Sequence, residues 1–317
     1  MSDAPPFPQN VIAIIWDFDK TLSPHYMQDP LFDAYSVNDK VFWAEVNALP
    51  EYYKRAGIHI QPDTSYLSHL LTYVQQGKMP GLNNARLNEL GGEIELFPGL
   101  PDFFDILKDL AIGFQTEDFK LTLEHYVVST GLGEMIRGSK IADKLDGIWA
   151  SEFIETPAAV GYDPDSIPHS GVISQIAGFL DNTTKTRAIF EINKGVNKYP
   201  KERSVNDTIE LANRRVPFEN MIYVADGPSD IPSFSVMRKN GGRAYAVYDE
   251  NDQKQFAQAE KLSSDERVNA FGPANYATGQ TVNWLKLKVS DMAQRLQKNN
   301  NERRQRQVSR GPQHIDE

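Results

Sequence analysis

The chain has 317 residues, of which 40% are hydrophobic and 24% are charged, so it is long enough for one large domain or two domains of ordinary size. Its formal net charge of −10 disfavours a general nucleic-acid-binding protein, because the surface as a whole repels polyanions. The sequence contains no cysteine, which excludes disulfide bonds, thiolate metal sites and cysteine nucleophiles.

The first predicted element is a strand at residues 11–16, after a polar, proline-rich beginning. The run Val-Ile-Ala-Ile-Ile-Trp is continuously apolar and rich in β-branched residues, which is typical of a strand buried on both faces of a parallel sheet. It is too short to cross a bilayer, and no basic segment followed by an apolar one indicates a secretory signal. We therefore expect no membrane-spanning segment and a cytoplasmic protein.

Residues 23–97 are predicted to form an inserted helical cap domain. Aromatic and aliphatic residues recur there at helical spacing, first around Phe42 and Val46 and again from Leu67 to Val74. The sequence Phe97-Pro-Gly99 then indicates the return to the main domain.

Helices and short apolar strands alternate after residue 97. Helices are predicted at residues 100–110, 134–140 and 184–193, and strands at residues 125–129, 147–153, 221–225 and 243–247. This alternation predicts an α/β fold, with a Rossmann-like, doubly wound parallel sheet as its core. The core would comprise residues 1–22 and 98–295, and the polar residues 296–317 are predicted to form a flexible tail.

Polar side chains follow three of the predicted strands. They are Asp17 and Asp19, Ser129 and Thr130, and Asp226 and Asp230. The carboxyl ends of parallel strands share one edge of the sheet, where ligands bind in open α/β folds. Two unit charges about 4 Å apart repel by roughly 4 kcal/mol at an effective dielectric of about 20, so clustered carboxylates need a cation or a proton. Oxygen ligands of this kind favour Mg²⁺.

Four short motifs give the chain its resemblance to a known family. Asp17-Phe-Asp-Lys-Thr21 resembles the D-x-D-x-T signature of the haloacid dehalogenase-like (HAD) hydrolases. Ser129 is similar to the second motif of these enzymes, Lys185 to the third and Asp226-Gly-Pro-Ser-Asp230 to the fourth, in the family's order, from residue 11 to about residue 247. The match departs from the family at Ala225, where glycine is usual, and at Pro228. Lys194 and Lys198 are rivals to Lys185 for the third motif.

The resemblance implies a phosphatase that works through an aspartyl-phosphate. Asp17 would be the nucleophile and Asp19 the general acid and base, while Ser129, the Thr130 amide and Lys185 would bind the phosphoryl group. The same resemblance implies that Mg²⁺ is held by the Asp17 and Asp226 carboxylates, the Asp19 backbone carbonyl, and Asp230 directly or through water.

The position of the inserted segment resembles the phosphoserine-phosphatase branch, but no serine-recognition pattern is present. We expect a small phosphorylated metabolite as substrate and no nucleic-acid or membrane partner. The identity of the substrate and the oligomeric state stay open.

There are two alternatives to hydrolysis. One is phosphotransfer to an acceptor other than water, and the other is a non-catalytic protein that binds a phosphorylated ligand. A dehalogenase is disfavoured by Asp19, since a halide leaving group needs no proton. Strand-end Asp and Ser residues also commonly cap the next helix, which is the structural alternative for each of them.

Overall fold

The computed structural model describes Phe7 and residues 9–309, and its centre is a seven-stranded sheet. The strands are β1 Val11–Trp16, β2 Thr122–Leu132, β3 Gly147–Ile154, β4 Gln175–Gly178, β5 Met221–Ala225, β6 Arg243–Tyr248 and β7 Ala270–Pro273. Their order is β4-β3-β2-β1-β5-β6-β7, and every neighbouring pair is parallel except β3 with β4. The predicted α/β Rossmann-like fold class is confirmed.

Helices cover both faces of this sheet. They are α1 Asp29–Ala34, α2 Asp39–Lys54, α3 Ser65–Gln75, α4 Asn84–Gly91, α5 Asp102–Ile112, α6 Gly133–Gly138, α7 Lys185–Lys194, α8 Ile231–Lys239, α9 Gln253–Ser264 and α10 Gln280–Ser309. Within the described residues, none of them combines the length and apolarity that a membrane span requires.

Strand β1 shows why the core has two layers. Ile12, Ile14 and Trp16 belong to one buried apolar cluster, whereas Ala13 and Ile15 belong to the other, as the alternation of side chains along a strand requires. The first cluster includes residues of α1–α5 and α10, and the second includes residues of α7, α8 and α9. A strand that contributes to both clusters has to be apolar throughout, which explains its continuous hydrophobic sequence.

Residues 23–97, the predicted cap segment, contain helices α1–α4. Asn38 caps α2 by accepting a hydrogen bond from the Val41 amide at 2.9 Å, and Asp39 and Lys54 lie at the ends that favour their charges. Leu31 of α1 and Phe42 of α2 are fully buried in the same cluster as Trp16. These helices therefore share one continuous apolar cluster with the sheet.

The C-terminal segment differs from the sequence prediction. Residues 296–309, expected to begin a flexible tail, continue helix α10. Met292 and Leu296 are buried on one side of this helix, and Gln297 Nε2 donates to the Phe114 carbonyl at 2.8 Å. The sequence after Lys298 is strongly polar, and for this reason the sequence prediction ended the folded part of the chain before the helix ends. The rest of the predicted tail, residues 310–317, lies outside the described residues.

Candidate active site

The ends of β1, β2 and β5 bring the predicted site residues to one edge of the sheet. Trp16 pairs with Val127 of β2 on one side and with Val224 of β5 on the other. The Asp17 amide continues the second pairing by donating to the Val224 carbonyl at 2.9 Å. Asp17 therefore leaves the sheet beside the chain that leads to Asp226, as parallel topology predicts.

Three carboxylates converge at this edge. Asp17, Asp226 and Asp230 each offer an oxygen, and the three oxygens lie within 4.8 Å of one another. Asp17 is 5% exposed and Asp230 is fully buried. Asp230 ends the short 3-10 turn Pro228–Asp230, which places it close to Asp226 and directly before α8. Carboxylate oxygens at this separation are a donor set that suits a hard divalent cation such as Mg²⁺.

Lys185 lies between two of these carboxylates. Its Nζ donates to Asp17 Oδ1 at 2.9 Å and to Asp230 Oδ1 at 2.8 Å, and its side chain is 1% exposed. Burial opposes the charge of Lys185, but Asp17 and Asp230 outweigh it and hold the pKa of Lys185 well above its usual range. Lys185 is the first residue of α7, and the preceding turn is fixed by Asp181, whose Oδ1 accepts hydrogen bonds from the amides of Thr183 and Thr184.

The two rival lysines are not part of this cluster. Lys194 Nζ donates to the carbonyls of Val205 and Asp207, and Lys198 Nζ donates to the Asp146 carbonyl. Of the three candidates for the third motif, the structure brings Lys185 to Asp17.

One positive charge does not balance the cluster. Burial and the charge of Asp230 raise the pKa of Asp17, although Lys185 beside it acts in the opposite direction. Burial and the charge of Asp17 raise the pKa of Asp226 well above its usual range. Carboxyl groups held this way favour an added proton or an added cation. The donor set and its excess negative charge therefore fit a bound divalent metal.

Asp19 lies beside this group without belonging to it. Its Oδ1 accepts a hydrogen bond from the Met27 amide at 2.8 Å, so its carboxylate is tied to the inserted segment. Burial, and then the charge of Asp17, raise the pKa of Asp19 to about 7. A carboxyl group with this pKa exchanges its proton readily near neutral pH, which suits a general acid and base.

Ser129 and Thr130 lie within β2, which extends beyond the predicted strand to Leu132. The register between β2 and β3 shifts after Val128, at the position of these two residues. Ser129 Oγ accepts a hydrogen bond from the Gly131 amide at 3.0 Å and is 1% exposed. Such an irregularity bends a strand and redirects its side chains, which is common beside active sites.

Two residues of this site were not singled out from the sequence. Tyr223 of β5 donates its hydroxyl proton to Asp230 Oδ1 at 2.6 Å, and Ser229 Oγ donates to Asp230 Oδ2 at 2.7 Å. Together with Lys185 they fix the position of the Asp230 carboxylate. One feature of the sequence could have indicated Tyr223. It lies within an apolar strand, and a buried tyrosine hydroxyl needs a hydrogen-bonding partner.

The sequence matches no protein-family model. An uncharacterized protein of Borreliella burgdorferi is 38% identical over 288 residues, which are 89% of this chain and 97% of that protein. Among solved structures, similarity extends to a HAD family hydrolase of Salmonella enterica serovar Typhi, with 15% identity, 84% of this chain and 68% of that chain covered, and a TM-score of 0.49. It also extends to a phosphoserine phosphatase in the form of a phospho-aspartyl intermediate analogue, which is 16% identical. The match covers 88% of this chain and 99% of that chain, with a TM-score of 0.49.

Proposed function

We propose that this chain, which belongs to the same protein family as the uncharacterized Borreliella burgdorferi protein, is a HAD-like, Mg²⁺-dependent phosphohydrolase acting on a small phosphomonoester. The observation that carries the proposal is the group of three carboxylates within 4.8 Å, two of which bond the buried Lys185, at the carboxyl edge of the parallel strands. Three of the four motifs of the HAD resemblance, the first, the third and the fourth, supply the residues of this group.

In the first half-reaction, the Asp17 carboxylate attacks phosphorus and the bond from phosphorus to the ester oxygen breaks. Asp19 gives its proton to that oxygen, so the leaving group departs as a neutral alcohol. In the second half-reaction, Asp19 takes a proton from a water molecule that attacks the aspartyl-phosphate. Inorganic phosphate leaves and the Asp17 carboxylate is restored.

Charge is the main obstacle to this reaction. A carboxylate approaching a phosphate dianion at about 4 Å meets roughly 8 kcal/mol of repulsion at an effective dielectric of about 20. Lys185 touches Asp17 and would offset part of this repulsion, while Ser129 and the Thr130 amide would bind phosphoryl oxygens. The carboxylates of Asp17, Asp226 and Asp230 and the Asp19 backbone carbonyl would hold Mg²⁺, which when bound supplies the remaining positive charge.

Residues 23–97 would serve as the cap of this site. Two contacts support this role: the Met27 amide donates to Asp19, and the Tyr66 hydroxyl donates to the Thr130 carbonyl at 2.7 Å. A cap at this position would exclude water during transfer and help to select the substrate. The cytoplasmic location and the phosphoserine-phosphatase-like substrate class stay predictions.

We expect removal of divalent metal to lower the rate of aryl phosphate hydrolysis at least about a hundredfold, because one of the charges that the reaction needs is lost. The measurement is release of inorganic phosphate after treatment with a chelator and again after Mg²⁺ is added back. Asp226→Asn should raise the Mg²⁺ concentration required for half of the maximal rate, whereas Asp249→Asn, a matched change after β6, should not. Full activity in the chelated protein would exclude the metal from the mechanism.

Hydrolysis and phosphotransfer differ in their products. We expect free phosphate to equal the alcohol released over a panel of phosphorylated metabolites, with no phosphorylated acceptor formed when alcohols are added. A phosphorylated acceptor in place of free phosphate would make the protein a phosphotransferase that uses the same residues.

A further inference from the structure

Met27 contacts both sides of the proposed reaction centre. Its amide donates to Asp19 Oδ1 at 2.8 Å, and its sulfur accepts a hydrogen bond from the Leu132 amide of β2 at 3.0 Å. The Met27 side chain is fully buried. This residue therefore joins the proposed general acid to the strand that carries Ser129.

Gly131 leaves room for Met27 on β2. A Cβ atom at position 131 would lie 2.2 Å from Met27 Cε and 2.5 Å from Met27 Sδ, so any other side chain there would displace the end of the methionine. Gly131 does not have a positive φ, so close approach, and not backbone conformation, accounts for glycine at this position. Because Met27 is fully buried, its end cannot move aside unless other packed side chains move as well.

The orientation of the Asp19 side chain depends on Met27. In the part of the chain that the structure describes, the Met27 amide is the one hydrogen-bond donor to the Asp19 carboxylate. The residues between them form a compact loop, in which Lys20 Nζ donates to the Pro24 carbonyl at 2.7 Å. A shift of Met27 on β2 would carry its amide away from Asp19, and the carboxylate would then be free to adopt other rotamers.

We infer that Met27 is a positioning residue, which bonds Asp19 at one end and β2 at the other and so aims the acid at the leaving oxygen. The inference rests on the proposed phosphatase function and adds to it the residue that sets the geometry of proton transfer. Proton transfer requires the acid to lie within hydrogen-bonding distance of the oxygen, so a displacement of about 1 Å is enough to slow it.

The first test uses the leaving group as its readout. 4-Nitrophenolate is a stable anion that departs without a proton, whereas the alcohol of ethyl phosphate needs one, so a misplaced acid slows the second ester more. In Met27→Ala we expect kcat/KM, which reports cleavage of the ester bond, to fall at least about tenfold more for ethyl phosphate than for 4-nitrophenyl phosphate. An equal fall for both esters would show that Met27 only supports the fold, and would overturn the inference.

Met79→Ala is the matched control for this change. Met79 is a second fully buried methionine of the inserted segment, and its sulfur accepts no hydrogen bond among the described residues. This variant leaves a similar cavity, so its Tm should fall about as far while the ratio of the two kcat/KM values stays at the parent value.

Met27→Leu serves where Met27→Ala does not fold. Leucine has nearly the volume of methionine but lacks the sulfur and the terminal methyl group that contact β2. We expect the ratio of the two kcat/KM values to change at least about threefold in this variant. A parent-like ratio would contradict the role of Met27.

Gly131→Ala disturbs the same contact from the other side. The added methyl group would lie 3.2 Å from Ser129 Oγ as well, but a loss of phosphoryl binding would slow both esters equally. We expect a selective loss for ethyl phosphate, as in Met27→Ala. In the double variant the clashing atoms are absent, so its selective loss should be smaller than the product of the two single losses. Losses that multiply would show that Gly131 and Met27 act independently, against the inference.

A further test does not depend on turnover. The chain has 7 methionines, so the amide spectrum of protein labelled with ¹⁵N-methionine can be assigned by substitution. The Met27 amide resonance should move in Asp19→Asn, because a neutral acceptor replaces a charged one, and in Gly131→Ala. It should not move in Asp143→Asn, where the altered side chain is 74% exposed. A Met27 resonance that ignores Asp19→Asn would show that the bond on which the inference depends is absent.

The two proposals fail in different ways. A parent protein that releases no phosphate from any ester in the presence of Mg²⁺ would contradict the phosphatase function. If Asp19→Asn selectively loses hydrolysis of ethyl phosphate while Met27→Ala slows both esters equally, the phosphatase function stands and the role of Met27 alone is contradicted.

Discussion

Asp17→Asn should lower kcat at least about a thousandfold while the protein stays folded, because an amide is a far weaker nucleophile than a carboxylate. The change preserves the size of the side chain, and Lys185 keeps its second partner, Asp230, at 2.8 Å. The measurement is phosphate release from an aryl phosphate at saturating substrate, with circular dichroism and Tm to establish folding.

Asp143→Asn is a suitable control for this experiment. The Asp143 side chain is 74% exposed and forms an ion pair with Lys144 on the surface, so its loss should change neither rate nor fold. Hydrolysis by Asp17→Asn at the parent rate would show that the nucleophile lies elsewhere.

Lys185→Met should abolish detectable turnover and also lower the free energy of unfolding by about 3–5 kcal/mol, since it leaves buried carboxylates without their cation. Lys185 is 1% exposed and bonds both Asp17 and Asp230, so solvent cannot replace it without rearrangement. The measurement is denaturant unfolding in metal-free buffer, because bound Mg²⁺ would mask part of the loss.

Two further variants separate charge from packing in this prediction. Lys194→Met removes a lysine of the same helix that bonds two backbone carbonyls, and should cost about 1 kcal/mol with activity retained. Adding Asp230→Asn to Lys185→Met removes one unpaired carboxylate and should recover part of the lost stability. A free energy of unfolding that is the same in Lys185→Met as in the parent protein would contradict a stabilising role for the buried ion pairs.

Those parts of the site that depend on strand ends could be predicted from the sequence. β1 and β5 are continuously apolar and each is followed by acidic residues, so their burial and their shared edge follow from periodicity alone. The resemblance to the HAD motifs then singled out Lys185, which no spacing argument could have distinguished from Lys194, because the choice depends on where α7 docks.

The rest of the site depends on contacts between residues far apart in sequence. Nothing near Tyr66 in the chain indicates that its hydroxyl reaches Thr130, and nothing near Met27 indicates that its sulfur reaches Leu132. The edge strands β4 and β7 are four residues long, too short for an apolar pattern to identify them. Local sequence carries little information about such features, since tertiary packing decides them.

The Lys185 ammonium joins positions that lie 168 and 45 residues away along the chain. Closing contacts over such separations is entropically costly, so they form late, after the intervening strands have paired. A nascent polypeptide that has not yet emerged from the ribosome as far as Asp230 cannot complete this triad. Catalytic competence should therefore appear only when nearly three quarters of the chain has been synthesised, and no shorter N-terminal fragment should be active.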